Sequence, residues 1–283
     1  MSATAYDLTM PGRRSTGAVF ASPHSGRAYP RGFLDATQLC ERAIRSSEDA
    51  FVDRLWAQAP IFGAPLICAR APRAFIDLNR APEELDPALV EGVRRVPHNP
   101  RIASGLGVIP RVVAGGRPIY SGKIPLAHAQ RRIRDWWRPY HEELRRLLQE
   151  SRDGFGEALL IDCHAMPHEA IEVAGGLKPE IVLGDRFGAS ARPELVDAIE
   201  VAFRDEGFRV ARNAPFAGAY IAQTYGRPAH RTSAVQIEID RSLYMDEARI
   251  EPRPEIHEIS DRLGRIAERI CGLVRPANAL AAE

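Results

Sequence analysis

Apolar positions recur along this chain with two periods. Short apolar runs bounded by Gly, Pro and polar clusters predict strands over 17–22, 64–69, 73–77, 158–163, 180–183, 208–212 and 234–240. Helical spacing covers 48–58, 127–150, 191–206 and 253–273. The clearest helix lies within Gln130 to Ser151, where Ile133, Trp136, Trp137, Tyr140, Leu144, Leu147 and Leu148 form one stripe with Arg and Glu between. Its aromatics read as core rather than as a cofactor box. Strands alternating with helices predict an α/β fold on a largely parallel or mixed sheet. Residues 81–125 break the pattern. They are rich in Pro, Gly and Arg, and read as loops over an active-site face. Ala277 to Glu283 reads as a frayed end. No internal repeat or low-complexity tract interrupts the chain, so 283 residues predict one domain over 1–283.

Composition narrows the function classes. Hydrophobic residues make up 45% of the chain, enough for a sizeable core. No run of about 18 apolar residues is present, so no membrane helix is predicted. Met1 to Arg14 lacks an apolar signal region, which makes the cytoplasm the expected compartment. A net charge of +1 offers no global field for nucleic acid or anionic lipid. A small-molecule partner is expected, and nothing in the pattern speaks to oligomeric state. None of the four cysteines forms a C-x-x-C pair, and Cys163 reads as a buried strand thiol. His141-Glu142 and His168-Glu169 lack the second His of H-E-x-x-H. No G-x-S-x-G is present. Gly116 to Lys123 has the wrong spacing for a P-loop, and Gly105-Leu106-Gly107 lacks the third glycine of a dinucleotide fingerprint.

The chemistry gathers in five segments. His24 in Ser22-Pro23-His24-Ser25-Gly26 and His164 in Asp162-Cys163-His164 each follow an apolar run. In open α/β sheets ligands bind outside the carboxyl ends of strands. Two imidazoles at such ends suit a catalytic metal, which typically takes three protein ligands and keeps one open position. Glu48 and Asp49 follow Ser46 and Ser47, so they read either as the acidic first turn of a capped helix or as the third ligand. Arg73 to Arg80 closes on Asp77-Leu78-Asn79-Arg80, where Arg80 and Asn79 suit a carboxylate and Arg73 a polarised carbonyl. Asp162 is a candidate to set the tautomer of a ligand His. In 234–240, Val235, Ile237 and Ile239 share one strand face, and Gln236, Glu238 and Asp240 the other. Alternation alone predicts a solvated polar face. If that face lines a cleft, Glu238 is the natural general base.

Ser-Pro-His-Ser-Gly, Asp-Leu-Asn-Arg, Ile-Asp-Cys-His-Ala-Met-Pro, Asn-x-Pro-Phe-x-Gly (Asn213 to Gly218) and Val-Gln-Ile-Glu-Ile, followed by Leu243-Tyr244-Met245-Asp246, resemble in order and spacing the N-formylglutamate amidohydrolase family. The resemblance runs from about residue 17 to 250. The family is related to zinc carboxypeptidases and to the aspartoacylase and succinylglutamate desuccinylase group. The resemblance implies a three-layer α/β/α fold with a mixed central sheet, phosphorylase/hydrolase-like. It implies one zinc ion on His24, His164 and an acid at Glu48-Asp49, where Asp49 matches the pattern better. Another divalent metal is the alternative. Arg73 would polarise the scissile carbonyl, Asn79 and Arg80 would hold a substrate carboxylate, and Glu238 would be the base. Asn213, Tyr220 and Arg231 are candidates for recognising the rest of the substrate. One departure is Arg27, which stands where zinc carboxypeptidases carry the acid of a compact His-x-x-Glu. The implied activity is hydrolysis of an N-acyl amino acid, N-formyl-L-glutamate first. The alternatives are another acyl group or a peptide, or a metal- or amino-acid-binding module without catalysis.

Overall fold

The computed structural model describes residues 4–94, 99–171 and 178–275. In chain order the strands are β1 (Tyr6–Thr9), β2 (Ala18–Ser22), β3 (Leu66–Ala69), β4 (Val112–Val113), β5 (Arg117–Pro118), β6 (Ala158–Met166), β7 (Ile181–Gly184), β8 (Val210–Arg212), β9 (Thr232–Asp240), β10 (Met245–Asp246) and β11 (Glu251–Pro252). Seven of them form one sheet in the order β1-β3-β2-β6-β9-β7-β8; β4 pairs β5 and β10 pairs β11 in small ribbons. β2 and β9 run parallel to β6, whereas β7 runs antiparallel to β9. The sheet is therefore mixed, with helices flanking it, in the α/β class that the alternation predicts.

The helices are α1 (Arg31–Leu34), α2 (Glu41–Arg45), α3 (Val52–Leu55), α4 (Pro100–Ala103), α5 (Leu126–Arg132), α6 (Arg138–Phe155), α7 (Pro193–Asp205), α8 (Tyr220–Tyr225) and α9 (Ile256–Leu273). α5 passes into α6 through a π turn over Ile133–Trp137, so the helix expected at 127–150 runs from Leu126 to Phe155. It stops at Gly156, whose φ of 81° suits a residue without Cβ. Among the described residues no helix is long and apolar enough to cross a membrane. The expectation for Ala277 to Glu283 lies outside the described residues.

Two predicted elements differ in the structure. Residues 73–77 form no strand: Pro72 O accepts from Phe75 N and Ile76 N, and these local bonds close a turn. Phe75 turns its ring under the Arg132 guanidinium, 4.1 Å away. The helix expected over 48–58 shrinks to α3, because Phe51 at φ 68° breaks it before Val52. Glu48 and Asp49 therefore precede the helix rather than sit in its first turn.

The chain packs as two compact units. The first holds Met1–Asp7, Pro23–Ala50 and Cys68–Glu143; the second holds Leu8–Ser22, Phe51–Ile67 and Leu144–Glu283. In the first unit, Arg132 donates to Phe75 O and to the Tyr120 hydroxyl, stitching an aromatic group that includes Phe33. Short links order its irregular stretch: Val108 N donates to Glu84 O, and Arg111 pairs with the buried Asp86 at 2.8 Å. In the second unit, all nine residues of β6 and all nine of β9 are buried. The polar face of β9 is thus dry: Gln236, Glu238 and Asp240 are 3–7% exposed. This corrects the solvated face that alternation alone suggests. Buried polar groups need partners, and these have them: Gln236 Nε2 donates to Glu238 Oε1, and Asp240 Oδ2 lies 2.7 Å from His168 Nδ1.

Candidate active site

In the first unit, the Ser-Pro-His-Ser-Gly turn presses against the chain at residues 70–71. A Cβ on Gly26 would stand 2.1 Å from Ala71 O, so only glycine fits. Ala28 N donates to Arg70 O beside it. This packing buries His24 almost completely. Its Nε2 lies 2.8 Å from Asp77 Oδ1, and its Nδ1 lies 3.4 Å from Asp49 Oδ2. Asp49 N also donates to His24 O.

The neighbouring acid goes elsewhere. Glu48 accepts from the Tyr29 hydroxyl at 2.5 Å and from Arg45 Nε at 3.3 Å. Burial pushes the Glu48 carboxyl up from its ordinary range, against the opposing pull of Tyr29 and Arg45. Of the two acids left open by the sequence, Asp49 is the one that faces the imidazole.

Asp77 organises the rest of this unit's polar cluster. It is fully buried and accepts from Arg73 Nε at 3.0 Å and from Asn79 N at 2.8 Å, besides its contact with His24. Burial alone would raise its pKa. Arg73, His24 and Arg80 outweigh burial and hold the carboxyl well below the usual range. A carboxylate that stays charged is a strong acceptor for one ring nitrogen, which fixes the tautomer and leaves the other nitrogen as a donor to a metal. Arg80 is committed locally: Nε donates to Leu106 O and Nη1 to Asn79 O. The backbone of this turn is held by Trp137 Nε1 on Arg80 O and by His141 Nε2 on Leu78 O. Asn79 is buried on the same turn.

In the second unit, position is set by strands. Asp162 pairs with Gln236, and His164 with Glu238, across the β6–β9 register. Paired residues of adjacent strands share a face, so these four side chains rise from one patch of the sheet. His164 Nε2 lies 3.0 Å from Asp162 Oδ1, two residues back on its own strand. Gln236 Nε2 donates to Glu238 Oε1 at 2.8 Å.

The loop Asn213 to Gly218 closes over the end of β7. Asn213 adopts φ 58°, and its amide clamps the turn at Asp185: Oδ1 accepts from Asp185 N and Phe187 N, and Nδ2 donates to Asp185 Oδ1. A Cβ on Gly184 would stand 2.7 Å from Gly218 N, so the loop lies directly on the strand. Phe216 packs against Met166, Ile171 and Val182. Ala219 N donates to Gln236 Oε1, and Tyr220 follows, half-buried at the start of α8. The polar atoms of Asn213 thus serve the loop itself.

Arg231 lies at the other end of β9 from Glu238. It precedes Thr232 at the start of β9, seven positions before Glu238, roughly 23 Å away along an extended strand. It lines an open cleft of about 790 Å³ with Arg152, Arg227, Ala229 and His230. The reading from sequence missed two organisers, Asp77 and Gln236. Both carried a signal: Asp77 heads the Asp-Leu-Asn-Arg segment, and Gln236 occupies the polar face of a strand that proves buried.

A family model described as N-formylglutamate amidohydrolase matches residues 16–245 of this chain. An N-formylglutamate deformylase of Pseudomonas putida is 31% identical over 232 residues, covering 81% of this chain and 82% of that protein. One from Pseudomonas aeruginosa is also 31% identical, over 233 residues, with the same coverage. The crystal structure of an N-formylglutamate amidohydrolase from Ralstonia eutropha JMP134 superposes with a TM-score of 0.90 at 35% identity, covering 96% of this chain and 99% of that one.

Proposed function

The chain belongs to the N-formylglutamate amidohydrolase family, and on that premise we propose that it hydrolyses N-formyl-L-glutamate to formate and L-glutamate with one divalent metal ion, zinc first. His24, Asp49 and His164, all buried, are the donor set that would hold the ion. The observation that carries this reading is the chemistry of those donors. Each imidazole has a buried aspartate close to its Nε2: Asp77 hydrogen-bonds His24 at 2.8 Å, and Asp162 Oδ1 lies 3.0 Å from His164. Metal-binding histidines are held by that arrangement, and two neutral imidazoles with one carboxylate suit a hydrolytic zinc site. Such an ion supplies Lewis acidity and makes water a nucleophile near neutral pH.

The remaining work falls to this chain's own side chains. Glu238 takes a proton from the attacking water at a carboxylate oxygen and delivers it to the leaving amine nitrogen. Arg73, a quarter exposed and oriented by Asp77, donates to the carbonyl oxygen as negative charge develops there. Asn79 and Arg80 shape the turn that receives a substrate carboxylate, with Arg80 acting through its buried positive charge. Tyr220 and the Asn213 loop border the base through Gln236.

The test is metal content together with formate release, measured across N-formyl, N-acetyl and N-succinyl amino acids. We expect one equivalent of zinc, N-formyl-L-glutamate as the preferred substrate, and loss of activity on chelation that added zinc restores. Turnover of another acyl class in preference to formyl overturns the substrate. Full activity in the metal-free protein overturns the mechanism.

A further inference from the structure

We propose that Gln236 is a positioning residue that fixes the carboxylate of Glu238 and couples it to the Asn213 to Ala219 loop. The proposal rests on the reading of Glu238 as the base. Gln236 is 3% exposed and touches both parties: Oε1 accepts from Ala219 N at 3.1 Å, and Nε2 donates to Glu238 Oε1 at 2.8 Å. Chemistry dictates which way the amide points. A backbone N–H only donates, so the atom facing Ala219 is the oxygen. The nitrogen is thereby turned to the carboxylate, which accepts.

The loop end of this chain of bonds is itself fixed. Phe216 sits in the Met166, Ile171 and Val182 cluster, the backbone at Ala217 and Gly218 rests on Gly184, and Asn213 clamps the turn at Asp185. Gly184 pairs in register with Gln236, so loop, β7 and β9 meet at one point. A side chain on a strand already has its Cα set by the sheet. What the sheet does not set is the torsion of the terminal carboxylate, and that is what the Nε2–H bond determines. The effect on the reaction is through orientation, for which a misplacement of about 1 Å costs on the order of a hundredfold.

The experiment is a double-mutant cycle on the zinc-loaded enzyme, with kcat and KM for N-formyl-L-glutamate, zinc content and Tm measured for each variant. Gln236→Met keeps the side-chain volume and removes both bonds. We expect kcat to fall ten- to a hundredfold with KM changed less than about threefold and zinc retained. In a Glu238→Gln background the same substitution should cost almost nothing further, because the carboxylate it positions is gone. Gln236→Glu is the second variant. It keeps the acceptor for Ala219 N but donates to Glu238 only when protonated, so its kcat should be low at pH 8 and recover toward pH 6. Equal losses from Gln236→Met in both backgrounds would make the residue merely structural and overturn the proposal. So would a wild-type kcat in Gln236→Met while Glu238→Gln is inactive, and the base would stand. An active Glu238→Gln overturns the reading of the base, and the positioning role with it.

Discussion

The two units hold their histidines by different means. His24 sits on a turn, and its place depends on a Gly26 contact, a backbone bond to Asp49 and the buried Asp77. His164 sits on a nine-residue central strand, where sheet register sets its neighbours and its aspartate is two residues back on the same chain. A loop has no ladder to fix its coordinates, so it needs a set of side-chain bonds converging on one acceptor, and Asp77 supplies it. A strand needs almost none. The consequence is that damage to Asp77 spreads through its unit, whereas damage on β6 or β9 stays local.

The largest effect should come from the strand-built side. Glu238→Gln is expected to lower kcat by about two to four orders of magnitude with zinc content and Tm unchanged. Steady-state formate release with metal analysis checks this. A normal rate would move the base away from the strands and break the comparison at its centre.

Next come the two aspartates that face the imidazoles. Asp77→Asn and Asp162→Asn should each weaken zinc affinity roughly ten- to a hundredfold, as seen by competition with a chelator. The comparison predicts a difference in stability. Asp77→Asn also disturbs Arg73 and Asn79, so its Tm should fall by several degrees, roughly 5 °C, and that of Asp162→Asn by less. Equal melting temperatures would erase the distinction between loop and strand.

A smaller, pH-resolved effect follows from Asp77. Its folded pKa lies below its unfolded value, near 3.8. Its contribution to stability is therefore complete above that value and declines as pH falls through it toward the folded pKa. Urea unfolding of the zinc-free protein between pH 6 and pH 3 should show stability falling below about pH 4. Asp77→Asn should flatten that limb. The smallest effect belongs to Arg231→Ala: kcat/KM should stay within about twofold, because Arg231 lies at the far end of β9 from Glu238. A large rise in KM would show that distance along the strand is a poor guide here.

Much of this protein was legible in its sequence. Periodicity located the long strands and helices, because burial on one or both faces leaves a period that a chain cannot hide. The short motifs singled out His24, His164 and Glu238 as candidates, because ligands bind at strand ends in an α/β sheet, and the structure buries all three. What the sequence did not settle were contacts that depend on segments far apart in the chain. Glu48 and Asp49 are adjacent, and no local rule separates them; the structure sends Glu48 to Tyr29 and Asp49 to His24. Arg231 and Arg80 look alike as carboxylate binders, yet one lies at the far end of β9 from Glu238 and the other is buried on backbone carbonyls. Gln236 reads as solvent-facing until the loop ending at Ala219 packs against its side chain. The sequence by itself singled out the candidate residues. Only the tertiary structure decided which of them are dry and which partner each polar atom meets, because burial and hydrogen bonding are properties of segments brought together and not of any one of them.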